Sequence, residues 1–363
     1  MADSQETASR WATLDRNRAI LVCILLTIAL LAGIWGSAAL DVPATPSHAA
    51  PSASGAARSN EDLALYATIA ERLAAGESYY PVAAEELRAG NYPLKPFVAF
   101  RLPTLAVAMA WLGRPVMMAL QFALFAAMVW AWWIRLDKQF ADKRRRVSGA
   151  MLAAAGVAVA FTGRYVGLHE VWAGTLIAMS IALHRRDRWA WSVITAALAL
   201  AIRELSLPYV LLMGALALYR RSWREFAALA GVIILFGLAM AWHAQEVAKV
   251  VLPSDPGSPG WTTFGGWAGF LRTYYLAGPL RWLPAEAAAP LIILALFGWT
   301  SWRSPAGLAA TLFYAGYGLA FMLFGRANNF YWGLMVAPAF LVGLAFVPRA
   351  FSDLASAARR REA

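Results

Sequence analysis

The sequence predicts an all-α polytopic membrane protein, and its composition carries that prediction. Of the 363 residues, 60% are hydrophobic and only 15% are charged, and 17 are tryptophan. Soluble domains have roughly 45–50% apolar and about 25% charged residues, so the composition excludes an ordinary soluble domain. A single cysteine, Cys23, excludes a disulfide framework and a cysteine-based metal site.

Ten apolar stretches are predicted to form transmembrane helices within one domain, residues 19–347. The first follows three arginines and, at about 22 residues, is typical of a signal anchor; the alternative is a cleaved signal peptide. Residues 1–18 and 348–363 are predicted to be a cytoplasmic N-terminus and tail. The ten stretches are Ala19 to Leu40, Pro115 to Ile134, Val147 to Thr162, Trp172 to Leu183, Trp189 to Ile202, Ser206 to Leu218, Phe226 to His243, Ala288 to Trp302, Pro305 to Phe324 and Tyr331 to Val347.

The charge pattern decides how the apolar segment Phe97 to Leu112 is interpreted. As an eleventh span it would place the basic loop 135–146 and every later basic loop outside, against the positive-inside rule. We therefore predict an interfacial helix on the outer face. The cytoplasmic pieces then hold 20 basic and nine acidic residues, which accounts for the whole net charge of +11. Lys143 to Arg146 is interpreted as a topology signal.

The first outer loop, residues 41–114, holds most of the candidate polar chemistry. Its start, Asp41 to Ser59, is rich in Pro, Ser and Ala and is predicted to be an extended linker. A helical pattern begins at Asp62 and ends at Gly76. In one interpretation Asp62 or Asn60 merely caps this helix.

Acidic and aromatic residues are combined in this loop in a way that is typical of a sugar site. Aromatic faces stack on the apolar faces of sugar rings, and carboxylates accept hydroxyl protons. The candidate substrate contacts here are Tyr66, Tyr79 and Tyr80.

The order of residues in the loop also resembles that of a known group of enzymes. Along the chain it runs Glu61-Asp62, Tyr66, Gly76, Tyr79-Tyr80, Tyr92-Pro93, Phe100-Arg101-Leu102-Pro103 and Trp111-Leu112-Gly113, before an apolar helix. This order is similar to the first extracytoplasmic loop of GT-C-type integral membrane glycosyltransferases. The resemblance covers the whole chain as an architecture and about residues 61–135 as a motif.

The resemblance implies a transferase that takes a sugar from a polyprenyl-phosphate donor and passes it to an acceptor hydroxyl. Carried onto this sequence, the catalytic carboxylate of the family falls on Asp62, with Glu61 as its neighbour and substitute. Such a transfer needs one carboxylate to accept the acceptor's proton while the phosphate leaves from the other side. An envelope glycan or lipid is the expected acceptor.

A phosphate leaving group needs cationic partners, and arginine suits it because it stays charged and can contact phosphate oxygens bidentately. Arg203 and Glu204 lie between two apolar spans, where ionisable residues are functional candidates by default. The alternative is a structural ion pair between these two residues. The candidate phosphate-binding arginines on the predicted outer face are Arg101, Arg164, Arg203 and Arg326, and Arg272 in the second outer loop is a further candidate.

Two further polar segments supply candidate substrate contacts. Asn328, Asn329 and Tyr331 follow Arg326, and the segment resembles a late Arg-plus-Tyr feature of the same enzymes; the alternative is a polar turn with interfacial aromatics. His169 and Glu170 could act on substrate as a second acid or base. Their spacing is not that of a metal site, so none is predicted, and a divalent-cation requirement is left open.

Two main functions are compatible with these features. One is a glycosyltransferase acting on the outer face of a bacterial cytoplasmic (inner) membrane, with the lipid-linked donor, the acceptor and membrane lipids as partners. The other is a transporter or flippase of a lipid-linked or amphipathic anion, for which repeat symmetry and broken helices would be expected, and neither is evident in the sequence. A non-catalytic scaffold is a third. No nucleic-acid or nucleotide-binding motif is found, so no nucleic-acid partner is predicted. The second outer loop, residues 244–287, is rich in Pro and Gly and is predicted to be a mobile cover.

Overall fold

The computed structural model describes residues 8–40, 55–325 and 327–360, apart from the side chains of residues 55–61, 327, 328 and 330. Within these residues no β-strand is formed, and the prediction of an all-α protein is confirmed. The α-helices are α1 (Arg16–Ser37), α2 (Gly55–Ala74), α3 (Tyr79–Ala89), α4 (Pro103–Asp137), α5 (Lys143–Gly156), α6 (His169–Leu183), α7 (Ala190–Ile202), α8 (Leu207–Tyr219), α9 (Trp223–Val250), α10 (Gly266–Ala277), α11 (Ala285–Ser301), α12 (Pro305–Leu323) and α13 (Val347–Ala358).

Several of these helices have the length and composition of membrane spans. Other apolar helices are shorter: α6 has 15 residues, which at about 1.5 Å per residue covers about 22 Å of a roughly 30 Å hydrocarbon core. The protein is therefore a helical membrane protein in which some apolar helices are shorter than the bilayer. The five described segments long and apolar enough to cross a membrane are Arg16–Ser37, Phe97–Asp137, Trp223–Val250, Pro305–Leu323 and Phe340–Ala358.

The predicted bounds of the last transmembrane helix, Tyr331 to Val347, are wrong, because this segment is not α-helical and the stretch of spanning length in this part of the chain is Phe340–Ala358. It consists of two 3-10 helices, Ala327–Met335 and Phe340–Phe346, and Ala339 between them has a positive φ of 61°. Pro338 lacks an N–H and disfavours a helical conformation in the residue before it. We call residues 327–346 the broken segment.

The broken segment is enclosed by other helices. Trp299 of α11 donates to the Phe340 carbonyl (2.7 Å), and Tyr314 of α12 donates to the Pro338 carbonyl (3.1 Å). Irregular backbone at membrane depth requires such partners because lipid has none to offer. The approach of the segment to its neighbours is close, since a Cβ atom on Gly156, Gly174 or Gly298 would overlap one of its carbonyl oxygens.

Helix α4 bends sharply at Gly113, where φ is 73° and ψ is 158°. Glycine adopts this conformation without strain, and Pro115 just beyond it cannot donate a helical hydrogen bond. The bend falls between the segments predicted as an interfacial helix and as a span. The two segments are therefore distinct helical pieces of α4.

The first loop folds into a small unit of its own, here called the loop unit (residues 55–102). Its α2 begins at Gly55, well before Asp62, and ends just before Gly76, whose φ is 96°. Asp62 therefore lies inside a helix, and the interpretation of Asp62 as a cap is wrong. Part of the predicted linker, residues 41–54, lies outside the described residues. The unit has an apolar core that includes Ile69, Tyr80, Val82, Leu87, Leu94 and Phe100, closed by Val247 of α9.

Arg88 and Asp255 fasten the loop unit to the second loop. Nε and Nη2 of Arg88 each lie 2.8 Å from a carboxylate oxygen of Asp255. These hydrogen bonds lower the pKa of Asp255 to about 2. Two backbone hydrogen bonds also join residues 94–95 to residues 256–258.

The second loop is also built into the main core. It contains α10, whose Phe270, Leu271 and Tyr274 are buried, and the Tyr274 hydroxyl donates to the Tyr314 carbonyl (2.6 Å). The composition of the loop predicted a mobile cover, but this helix is a packed element.

The predicted cytoplasmic pieces gather at one end of the molecule, here called the basic end. The backbone N–H of Ser9 donates to Asp353 of α13 (2.7 Å), so residue 9 lies beside α13. Trp302 donates to Gln139 (2.6 Å). The loops around residues 184, 220 and 225 meet in a buried contact between His184 and Glu225 (2.8 Å), with Arg220 beside it.

The hairpin of α6 and α7 determines what lies at the opposite end. The two helices pack along each other and are joined by residues 184–189, near which Ser180 donates to the Ser192 carbonyl (2.7 Å). An antiparallel hairpin brings the first residue of one helix beside the last residue of the other. His169 and Glu170 at the start of α6 therefore lie beside Arg203 at the end of α7.

We predict that Asp255→Asn loosens the attachment of the loop unit to the second loop. The variant removes the charge that pairs with Arg88, so the amides of residues 94 and 258 should exchange faster in hydrogen–deuterium exchange mass spectrometry. In the wild type the folded pKa of Asp255 lies below its ordinary value, so its contribution is complete above about pH 4 and is lost between about pH 4 and 2.

The control is Glu246→Gln, which removes a carboxylate that pairs with Lys249 one turn along α9. It should leave exchange at residues 94 and 258 unchanged. Equal protection of these amides in Asp255→Asn and the wild type would show that the ion pair does not hold the two loops together.

Candidate functional site

The loop unit covers the helix ends that lie opposite the basic end, and Glu170 is at the centre of this contact. Its side chain is 1% exposed. The Nε atom of Arg203 lies 2.8 Å from Glu170 Oε1, and Nη2 of Arg101 lies 4.0 Å from the same oxygen. Arg203 also contacts the Glu204 carboxylate. We call Arg101, Glu170, Arg203 and Glu204 the charged cluster.

Arg203 is enclosed, with a side chain that is 1% exposed. Neighbouring residues on a helix do not face each other, which would argue against a bridge between Arg203 and Glu204. The bridge forms because Arg203 follows the end of α7 with extended backbone, φ −143° and ψ 116°. The geometry therefore shows an ion pair between these two residues.

Arg101 is the more accessible arginine of the cluster, with a side chain that is 18% exposed. Its Nε donates to the Tyr66 hydroxyl (3.0 Å), and its own carbonyl accepts from the Tyr79 hydroxyl (2.7 Å). Burial raises the pKa of Tyr66 to about 12, although the charge of Arg101 opposes this shift. Tyr66 therefore stays protonated at neutral pH and keeps its hydroxyl proton for donation.

His169 lies against Tyr66, with ring centroids 5.2 Å apart in an edge-to-face arrangement. The residue is 3% exposed. Neither ring nitrogen makes a well-aligned hydrogen bond to another described residue. A buried polar group in this state is a candidate for contact with a bound molecule.

Asp62 lies one turn before Tyr66 on α2, so both side chains share one face of that helix. Its Oδ1 accepts a hydrogen bond from the Tyr92 hydroxyl (2.7 Å), and the residue is half-buried. Asp62 also raises the pKa of Tyr66, less than burial does. The carboxylate is thus oriented next to the charged cluster.

Tyr331, in the broken segment, also lies near the charged cluster. Tyr331 interacts electrostatically with both Tyr66 and Arg101. Asn329 donates to the Tyr331 hydroxyl (3.2 Å). Arg326 and the side chains of Glu61 and Asn328 lie outside the described residues.

Two of the predicted site residues are not brought into the cluster. Tyr80 is in the core of the loop unit, and its hydroxyl is hydrogen-bonded to His243 Nδ1 of α9 (3.0 Å). Arg164 is exposed on the 3-10 helix Arg164–Gly167, and no contact with the cluster is found among the described residues. Among the residues that the structure describes, no group of three or more His, Cys, Asp and Glu side chains is placed to hold a metal ion.

Sequence reasoning missed two tyrosines that support the site. The first is Tyr92, which orients Asp62. Tyr92-Pro93 is part of the pattern that resembles the GT-C loop, but the sequence analysis gave Tyr92 no role in the site. Tyr317 of α12 contacts the Leu205 carbonyl next to the cluster. A hydroxyl group in an apolar span requires a hydrogen-bond partner. Tyr317 lies in such a span, so its presence there could have indicated a polar contact.

No family model, curated protein or solved structure matches the chain. The fold and the site define a helical membrane protein with a buried, charge-balanced polar cluster beneath a folded loop.

We predict that Glu170→Gln lowers the thermal stability of the purified protein strongly, because it removes the buried one of the two carboxylates that neutralise Arg203. Breaking one member of a buried ion pair costs about 3–5 kcal/mol. Adding Arg203→Met should restore most of the loss, because the incompletely neutralised buried cation is then gone and Glu204 is partly exposed. The measurement is the unfolding temperature in detergent.

Glu71→Gln, on the exposed side of α2, is the control for loss of a carboxylate and should change the unfolding temperature little. If the double variant were as unstable as the sum of the two single variants, Glu170 and Arg203 would not be coupled.

Proposed function

We propose that the protein is a membrane glycosyltransferase that moves a sugar from a polyprenyl-phosphate donor to an acceptor hydroxyl at the charged cluster. One observation carries the proposal: residues far apart in the sequence converge there. The loop unit brings Asp62, Tyr66 and Arg101 onto helix ends that carry His169 and Glu170. A carboxylate, a cation and hydrogen-bond donors in one place are what a transfer from a phosphate requires.

Asp62 is the better candidate base among the carboxylates of the site. The Glu170 carboxylate is already engaged, because Arg203 contacts it at 2.8 Å and Arg101 lies 4.0 Å from the same oxygen. Asp62 accepts a hydrogen bond from the Tyr92 hydroxyl at 2.7 Å, which orients its carboxylate, and it is the residue on which the resemblance to GT-C enzymes puts the catalytic carboxylate.

The proposed step balances without a redox partner. The acceptor oxygen forms a bond to the anomeric carbon while its proton passes to Asp62. The bond between the anomeric carbon and the phosphate oxygen breaks, and its electron pair leaves with the polyprenyl phosphate. Arg101 is placed to stabilise that charge, and His169 to hydrogen-bond a phosphate oxygen. Arg203 keeps Glu170 in position.

A transporter of a lipid-linked anion is the second candidate, and the broken segment favours it. Broken helices near mid-membrane are typical of transporters, and the sequence analysis did not predict one. The segment nevertheless has two of its carbonyl groups bound to Trp299 and Tyr314, so those groups are not free to coordinate cargo. Turnover of a labelled donor separates the two functions.

The proposed orientation places the charged cluster outside a bacterial cytoplasmic membrane and the basic end inside. Its support is that the loops predicted to be cytoplasmic meet at one end, while the polar segments of the site meet at the other. The contact between Ser9 and Asp353 supports a common side for both ends of the chain.

We predict that Asp62→Asn lowers transfer from labelled polyprenyl-phosphate sugars to an envelope-lipid extract by about 100- to 10,000-fold, the range for loss of a general base. Asparagine keeps an oxygen that can accept from Tyr92, so donor binding should be nearly unchanged. Tyr92→Phe keeps the carboxylate and removes only its hydrogen bond, and should lower transfer by about tenfold or less.

Glu71→Gln is the matched control, a carboxylate on the same helix that is exposed. Full activity of Asp62→Asn would remove Asp62 as the base and direct attention to Glu61→Gln. Wild-type donor affinity in Arg101→Gln would remove Arg101 from phosphate recognition.

The orientation is testable with Cys23→Ser as a cysteine-free background. Glu71→Cys on the loop unit should react with a membrane-impermeant maleimide in intact cells, and Arg144→Cys at the basic end should react only after the membrane is opened. Both positions are exposed. The reverse labelling pattern would show that the site faces inward.

A further inference from the structure

We propose that a groove between α4 and α5 binds one acyl chain of an anionic phospholipid, with its phosphate at the basic end. The groove has a volume of about 430 Å³ and is open along the surface of the helices. Its lining is apolar and mainly aromatic, and includes Phe122, Phe125, Trp130, Trp133, Ala150 and Phe161.

The length of the groove fits a chain from a single leaflet. From Phe122 to Trp133 it follows α4 for 11 helical steps, which is about 16 Å at 1.5 Å per residue. The hydrocarbon core of a bilayer is about 30 Å thick. The groove therefore covers about one leaflet, beginning at the basic end.

Cationic groups stand where the groove meets the basic end. The Arg146 guanidinium lies over the Trp133 ring, 3.7 Å from its centroid, and its Nε donates to the Trp133 carbonyl (3.1 Å). Trp133 thus belongs both to the apolar lining and to the basic end. Residues 137–146 contain five basic residues and two acidic ones.

The two carboxylates of this segment are engaged in local structure. Asp137 pairs with Arg146, and Asp142 caps α5 by accepting from the Arg144 N–H (2.9 Å). Lys143 and Arg144 have exposed side chains at the first turn of α5, where the helix dipole also favours an anion. A phospholipid whose chain fills the groove would place its phosphate beside these two residues.

The charge at this end favours an anionic lipid over a zwitterionic one. Basic residues at a membrane surface each strengthen binding of anionic lipid, whereas a zwitterionic headgroup carries a compensating cation. The site does not depend on the proposed transfer reaction, because it lies at the end opposite the charged cluster.

The test is native mass spectrometry of the delipidated full chain, titrated with phosphatidylglycerol or phosphatidylcholine of identical acyl chains. Phosphatidylglycerol should bind more tightly to the wild type. Lys143→Gln/Arg144→Gln should weaken it by about 25-fold, about fivefold for each basic residue. Arg186→Gln/Arg188→Gln removes two exposed charges from another loop at the same end and should leave the affinity unchanged.

A second pair of variants tests the groove itself. Ala126→Phe places a ring in the groove and should weaken phosphatidylglycerol by about tenfold, which corresponds to displacing roughly two buried methylene groups. Ala241→Phe, on the exposed face of α9, should have no such effect.

Equal affinity for the two phospholipids, or an unchanged affinity in Ala126→Phe, would overturn the proposal. Displacement of phosphatidylglycerol from the wild type by equimolar polyprenyl phosphate would also overturn it, because the groove would then belong to a different lipid.

Discussion

The ion pair between Glu170 and Arg203 is the constraint on which the rest of the structure depends. Both side chains are 1% exposed, and charges buried at the ends of apolar helices require partners because isolated ions are strongly disfavoured there. The hairpin of α6 and α7 brings these two together. Arg101 is a charged partner that the hairpin cannot supply, and the loop unit, folded over the helix ends, brings it into the cluster. The candidate site is thus a consequence of neutralising buried charge.

Much of this arrangement could be predicted from the sequence, because hydropathy and charge report directly on helices and on the sides of their connections. The hydrophobic runs gave most of the helices, and the basic loops do meet at one end. Two features of the structure could not be predicted, for a common reason. Hydropathy does not show where two backbones pack closely, so it could not indicate that certain glycines make room for the broken segment. Helix periodicity does not show where a helix ends in extended backbone, which is the conformation that lets Arg203 contact Glu204. The helical turns before Asp62 carry little hydrophobic signal, and α2 was therefore predicted to begin too late.

The two ends of the α6–α7 hairpin carry different kinds of polar contact. One end has the charged cluster, and the other has the buried contact of His184 with Glu225 beside Arg220. Since the helices between them have only 15 and 13 residues, these layers are about 20 Å apart. A bilayer of about 30 Å has to thin around the hairpin, or other helices have to shield it. The latter fits the burial of nearly every residue of α6.

The broken segment has a consequence for how the chain is assembled. Residues 331–347 are apolar enough to resemble a span during membrane insertion, yet their backbone lacks the continuous hydrogen bonding that lipid demands. Their carbonyl partners, Trp299 and Tyr314, belong to helices that emerge from the ribosome earlier. The segment can therefore take up its native conformation only after α11 and α12 are in place, because Trp299 and Tyr314 supply its hydrogen-bond donors. Completion of the core therefore follows the insertion of α11 and α12.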